Sequence, residues 1–164
     1  MHVCVGGTFN ILHKGHKQLF DKAFQIASKN GKVFIGVTKG EILKKKKIVK
    51  KYNERVNAIK KYLQEKGYDK HVVFKPIYDK YGLAIDWDFD VIVVSPESLK
   101  NAKEINKVRV EKSKKPLEIV QISFVLADDN KPISSTRVQN NEIDINGKLI
   151  KKNEKVKYSS YNNE

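Results

Sequence analysis

His2-Val-Cys-Val-Gly6, then Gly7-Thr-Phe-Asn-Ile-Leu-His-Lys-Gly-His16, packs an apolar run, a glycine pair and a helix start into fifteen residues. The run reads as a buried strand, and Gly6-Gly7 as the tight loop by which it leaves the sheet. Glycines let a backbone approach a ligand closely. A helix that follows adds unpaired N–H groups and a positive partial charge at its first turn. His13 and His16 stand three residues apart at that anion site, with Gly15 between them. Either imidazole can hydrogen-bond a phosphate without a metal, and a zinc site here would lack a third ligand. The competing reading is a plain β–α turn with incidental histidines. The spacing matches neither a Walker A loop nor the Gly-x-Gly-x-x-Gly pattern.

Outward from this stretch, strand and helix alternate. Leu19, Phe20, Ala23, Phe24, Ile26 and Ala27 recur at helical spacing, from near His16 to Asn30-Gly31, where glycine suits a left-handed cap. Lys32–Val37 is a second strand. A lysine-dense loop and a helix through Val56, Ile59, Tyr62 and Leu63 follow, closed by Lys66-Gly67. Further strands read at His71–Pro76, Asp90–Ser95 and Leu117–Ile122, with a polar helix over about 98–113 before the last. Nearly continuous apolar strands alternating with helices predict an α/β fold. The expected form is a parallel five-stranded sheet with helices on both faces and a ligand beyond the carboxyl ends of the strands. Residues 1–146 form one domain, and 147–164, rich in Lys, Asn, Ser and Glu, read as a loosely held polar tail.

A chain of 164 residues fits one domain with a core of its own. Hydrophobic residues make up 40% and charged residues 32%, ordinary for a wet-surfaced globular protein. No run of about 18 apolar residues offers a membrane span. The first residues lack the basic and apolar regions of a secretory signal, and the one cysteine, Cys4, rules out an internal disulfide. A cytoplasmic location is the expectation. Lys and Arg number 33 against 19 Asp and Glu, a net charge of +14. Such a field attracts nucleic acid, acidic membranes or phosphorylated small molecules. Only Arg55, Arg109 and Arg137 are arginines, and lysine enrichment also marks heat-adapted proteomes, so charge alone decides nothing.

A second segment narrows the choice. Ile133-Ser-Ser-Thr-Arg137 reads as the first turn of another helix, and its hydroxyls could cap that helix or hold outer phosphates of a nucleotide. Together, His-x-Gly-His and Ile-Ser-Ser-Thr resemble the nucleotidyltransferase superfamily. Within it the chain is similar to the archaeal phosphopantetheine adenylyltransferases, relatives of a domain in eukaryotic coenzyme A synthases, from about Val3 to Ile143. Gly6-Gly-Thr-Phe9, Asn53-Glu-Arg-Val56, Ile105-Asn-Lys-Val-Arg109 and Lys115–Val120 leading to Lys131–Arg137 carry the likeness. It departs from the bacterial enzymes at Asn10-Ile11, where they have Asp-Pro, at His13, where they often have threonine, and at Arg137, where they have an apolar residue.

The resemblance implies a Rossmann-like sheet and transfer of AMP from ATP to 4′-phosphopantetheine, giving dephospho-coenzyme A and pyrophosphate, with Mg²⁺. It puts His16, Thr8 and Lys46 in catalytic roles. Gly7, Thr8, Phe9, His13, Gly15, His16, Ser134, Ser135, Thr136 and Arg137 are implied nucleotide contacts, with Arg137 beside the pyrophosphate. The acceptor phosphate falls to the run Lys44–Lys51, six lysines in eight residues, with Lys46 the best match and Lys47 the next. Arg109 is carried over as a further phosphate contact. FMN or nicotinamide mononucleotide stands as the alternative acceptor. Lys131-Pro-Ile-Ser-Ser-Thr-Arg137 differs from the Arg-Thr-x-Gly-Ile-Ser-Thr of cytidylyltransferases, which argues against CTP. A basic nucleic-acid-binding module would need stacking aromatics among the lysines, and Tyr52 stands alone there. No specific nucleic acid and no membrane are therefore expected as partners.

Overall fold

A computed structural model describes residues 1–46 and 48–151. Strands β1 (His2–Gly7), β2 (Lys32–Thr38), β3 (Val72–Ile77), β4 (Val91–Val94) and β5 (Glu118–Gln121) form one parallel sheet in the order β3-β2-β1-β4-β5. The expected α/β class and five-stranded parallel sheet are what the chain adopts. β1 pairs with β2 from His2↔Lys32 to Gly7↔Val37 and with β4 at Val3↔Val91 and Cys4↔Ile92. The chain winds from β1 to one edge at β3, then returns to the other side of β1. A crevice consequently opens at the carboxyl ends of β1 and β4, where such sheets place their ligands.

Helix α1 (Lys14–Ala27) and helix α2 (Tyr52–Lys66) cover one face. Their buried stripes, Leu19, Phe20, Ala23 and Phe24 on α1 and Val56, Ile59 and Leu63 on α2, meet Val3, Val5, Val33, Ile35, Val91 and Val93 of the sheet. Each Val, Leu, Ile or Phe among them, fully buried, stabilises the fold by roughly 1.5–3 kcal/mol before its ordering cost. Side chains alternate across a strand, so Cys4 points to the other face. There it joins Ile92, Val94, Ala84, Ile85 and Phe89, under helix α3 (Leu99–Glu111) with Ala102 and Ile105. A third, smaller cluster of Ala127, Ile133, Val138 and Ile143 seats the short helix α4 (Ser135–Gln139).

Two boundaries differ from expectation. α1 ends at Ala27, because Ser28 turns to φ 54° and its N–H closes on the Phe24 carbonyl, so Gly31 is not the cap. By contrast, Gly67 does take the left-handed conformation, φ 74°, after α2. Residues 147–150 belong to the body rather than to a loose tail. Gly147 accepts from the Asp128 N–H, Leu149 bridges Ile143, and Ile150 is buried with its N–H on the Glu142 carbonyl. The rest of the expected tail, 152–164, lies outside the described residues.

Candidate active site

β1 ends in Gly6-Gly7, and its carboxyl end opens into a cleft of about 790 Å³. Thr8, His13, His16, Lys46, Ser134, Ser135 and Thr136 all line it. Phe9 is buried at φ 50°, and its ring folds back over Gly7, where an added Cβ would stand 2.8 Å from Phe9 Cζ. Only glycine fits at residue 7 while Phe9 holds that position.

His13 is the N-cap of α1. Its Nδ1 accepts from the backbone N–H of Gly15 at 3.0 Å and of His16 at 3.4 Å. His16 answers by accepting the His13 backbone N–H on its own Nδ1 at 3.4 Å. The two rings stack, centroids 3.7 Å apart and 18° from parallel, and Phe9 meets His16 edge to face at 5.2 Å. Gly15 is again required, since a Cβ there would lie 2.9 Å from His13 Cε1. With Nδ1 of each ring used as an acceptor, the proton of each neutral imidazole resides on Nε2. Burial lowers the His13 pKa to about 4. Burial, then the neighbouring His13, lower that of His16 to about 3, against a smaller opposing effect of the Ile11 carbonyl. Both rings are therefore neutral donors at the positive end of a helix.

Across the loop, Thr8 Oγ1 accepts from Thr38 Oγ1 at 3.0 Å and from Lys46 Nζ at 2.5 Å. Lys46 is exposed as a whole, yet its ammonium lies against Thr8. Partial burial first, and the Arg55 charge second, hold its pKa below the ordinary lysine value. Arg55, 2% exposed in the first turns of α2, staples the two loops together. Its Nε donates to the Lys50 carbonyl at 2.8 Å and its Nη1 to the Thr8 carbonyl at 2.9 Å. Asn10 adds a second tie, donating to the Ile48 carbonyl and accepting from the Lys50 N–H, both at 2.8 Å. Asn10, Thr38 and Arg55 had no assigned role in the sequence. A lone arginine at a helical position flanked by Val56 and Ile59 was the one available signal.

The third wall comes from α4. Ser134 caps it, accepting the Arg137 N–H at 3.2 Å, while Ser135 Oγ donates to the Ile11 carbonyl at 3.4 Å, tying α4 to the glycine loop. Two arginines are placed differently from expectation. Arg137 pairs with Asp129 through both carboxylate oxygens and also donates to the carbonyls of Lys131 and Pro132, so its fork is spent on its own loop and it does not line the cleft. Arg109 is 3% exposed at the opposite end of the sheet. Its Nε donates to the Lys115 carbonyl, and its Nη1 to those of Ala84, Ile85 and Trp87. It is a structural staple, not a phosphate contact. Lys47 lies outside the described residues.

Residues 4–141 match the cytidylyltransferase-like family. The phosphopantetheine adenylyltransferase of Methanosarcina barkeri is 48% identical over 151 residues, 91% of this chain and 92% of that one. The protein of that name from Archaeoglobus fulgidus is 38% identical over 92% of this chain and its own full length. The chain belongs to the archaeal phosphopantetheine adenylyltransferases. Among solved structures, a protein of unknown function from Archaeoglobus fulgidus superposes at a TM-score of 0.68 with 35% identity, covering 74% of this chain and 89% of its own. Nicotinic acid mononucleotide adenylyltransferase from Plasmodium falciparum superposes at 0.53 with 11% identity, covering 88% and 85%, which speaks to the shared sheet alone. For an adenylyltransferase the crevice position is informative: the glycine loop, the imidazole pair and α4 converge where the strand order reverses.

Proposed function

We propose that this protein transfers AMP from ATP to 4′-phosphopantetheine, releasing pyrophosphate and forming dephospho-coenzyme A. The observation that carries the reading is the stacked, neutral His13–His16 pair capping α1 inside the cleft, opposite the Lys46–Thr8 pair. A phosphate acceptor is already an anionic nucleophile, so the reaction needs no strong base. One of its oxygens attacks the α-phosphorus in line, a P–O bond forms, and the bond to pyrophosphate breaks. Catalysis is then positioning plus stabilisation of charge on the α-phosphate. His16 and His13 would donate Nε2–H to α-phosphate and triphosphate oxygens, helped by the positive end of the α1 dipole. Lys46 and Thr8 would bind the acceptor phosphate. Ser135 and Thr136 would meet the outer phosphates, with Ser134 holding α4 in shape.

Mg²⁺ would arrive with ATP as part of the substrate. Among the described residues no cluster of three or more His, Cys, Asp or Glu could hold a metal, so the phosphates themselves would carry the ion. No helix among the described residues is long and apolar enough to cross a membrane, and a cytoplasmic enzyme drawing on dissolved substrates is the matching proposal. The test is direct. Purified protein with ATP, Mg²⁺ and 4′-phosphopantetheine should release pyrophosphate and yield dephospho-coenzyme A by mass spectrometry. Turnover of FMN or nicotinamide mononucleotide, with phosphopantetheine left untouched, would overturn the acceptor assignment.

A further inference from the structure

Both acceptor positions of the Thr8 hydroxyl are taken, by Thr38 Oγ1 at 3.0 Å and Lys46 Nζ at 2.5 Å. An ammonium has no lone pair, so the direction of the lysine bond is fixed. The threonine bond runs from Thr38 to Thr8, and Arg55 supports that direction from behind: its Nη1, also a donor only, lies 3.5 Å from Thr38 Oγ1, so one acceptor position of Thr38 is taken and its proton is available to Thr8. A hydroxyl that accepts twice has only its proton left to offer. On Thr8 that proton is directed away from Thr38 and Lys46, on a residue that lines the cleft.

We propose that Thr38 is a positioning residue of the transfer reaction, because the relay from Arg55 through Thr38 to Thr8 holds the Thr8 hydroxyl as a fixed donor toward an anionic oxygen in the cleft. The inference rests on the function proposed above and deepens it. An unsupported threonine hydroxyl rotates and can accept as readily as donate. A polarised one is committed to an acceptor-only group such as a phosphate, and no reorientation is needed when charge shifts during transfer. Thr38 fits the role by location as well. It is 7% exposed at the carboxyl end of β2, one strand away from Thr8, with its hydroxyl between a buried guanidinium and the site.

The experiment compares Thr38→Val, which keeps shape and removes the hydroxyl, with Thr38→Ser, each alone and in a Thr8→Val background. Thr38→Val should lower kcat for phosphopantetheine adenylylation about tenfold with the KM for ATP little changed, in line with coupling between groups of one network. Thr38→Ser should restore most of that loss. In the Thr8→Val background, losing the Thr38 hydroxyl should cost nothing further. A parallel calorimetric titration with inorganic phosphate should show binding weakened in Thr38→Val and restored in Thr38→Ser. Wild-type turnover in Thr38→Val, a serine variant as slow as the valine one, or an equal loss without the Thr8 hydroxyl would overturn the relay. If the wild-type protein makes no dephospho-coenzyme A, the functional reading fails, and the phosphate titration still decides whether Thr38 acts through Thr8.

Discussion

Acid should loosen this protein through two residues, His13 and His16. Their pKa values fall from the ordinary 6.5 to about 4 and about 3 on folding. Three structural facts agree on the direction. His13 is 6% exposed, each ring accepts a backbone N–H on Nδ1, and both stand at the positive end of α1, where an imidazolium is disfavoured. Below pH 6.5 the unfolded rings take up protons that the folded rings do not bind until about pH 4 or 3. The unfolded state therefore binds more protons across that window, so stability falls as pH falls through it. One pK unit corresponds to about 1.36 kcal/mol. At pH 5 an unfolded ring is about 1.5 units below its midpoint, so each histidine costs about 2 kcal/mol relative to pH 7.5, and the pair about 4.

Asp129 and Glu104, whose carboxyls are held below their ordinary range by hydrogen bonds from Arg137 and Lys80, contribute stability that is lost mainly below about pH 5, outside the two conditions compared. Equilibrium urea unfolding at pH 7.5 and pH 5.0 measures the difference. The double variant His13→Asn/His16→Gln supplies the control, since asparagine still caps a helix and neither residue titrates. Wild-type protein should lose about 4 kcal/mol between the two conditions and the double variant almost nothing. A wild-type loss under 1 kcal/mol, or an equal loss in both proteins, would refute the neutral-pair reasoning.

Further expectations concern single residues and the charge field. His16→Ala should keep its fold and bind ATP within about tenfold, yet lose on the order of 10²–10³ in kcat, as removal of one transition-state donor does. Lys46→Ala should raise the KM for phosphopantetheine far more than that for ATP, whereas Lys44→Ala and Lys51→Ala should not; equal effects would show a diffuse field instead of a dedicated contact. Arg109→Leu should destabilise the protein by about 3 kcal/mol, because carbonyls of 84–87 and Lys115 lose their donors, while leaving KM for both substrates unchanged in protein that remains folded. Binding to DNA should be weak and fall steeply with salt, and sequence-selective nanomolar binding at physiological salt would promote the nucleic-acid reading.

The sheet was readable because each strand is a dense apolar run and each covering helix has a buried stripe. Boundaries moved where the chain solved a local problem without the expected residue, as at Ser28, which closes α1 three residues ahead of Gly31. The glycine loop and both histidines were legible because their spacing has a local cause, the capping of α1. Arg109 and Arg137 were misread for the opposite reason. An arginine near a helix end looks like a free cation in sequence, and only the fold reveals the carbonyls of 84–87 or the Asp129 carboxylate that occupies it. Thr38 ends a strand otherwise read as apolar, and nothing in its neighbourhood along the chain announces Thr8, thirty residues earlier. Ile150 hid in a polar stretch, its partner Glu142 being a backbone carbonyl that carries no side-chain signature.

The division between lysine and arginine follows from the same geometry. A guanidinium offers five donors in a planar fork, suited to satisfying several carbonyls at once, whereas an ammonium is a compact, strongly hydrated charge. All three arginines use that fork inside the molecule: Arg55 across the glycine and lysine loops, Arg109 under β4 and β5, Arg137 behind α4. Lysine is left to make the surface field and, in the proposed reaction, to meet the acceptor at Lys46. The donors assigned to the α-phosphate are neutral by contrast. A cation there would bind the resting triphosphate tightly as well as the transition state, and interactions that are equal in both states do not raise kcat. Neutral imidazoles at a helix end bind the ground state more modestly and gain as negative charge accumulates on the oxygens they face. In the proposed mechanism the site thus sets its ammonium where a charged substrate must be captured and its neutral donors where charge must grow.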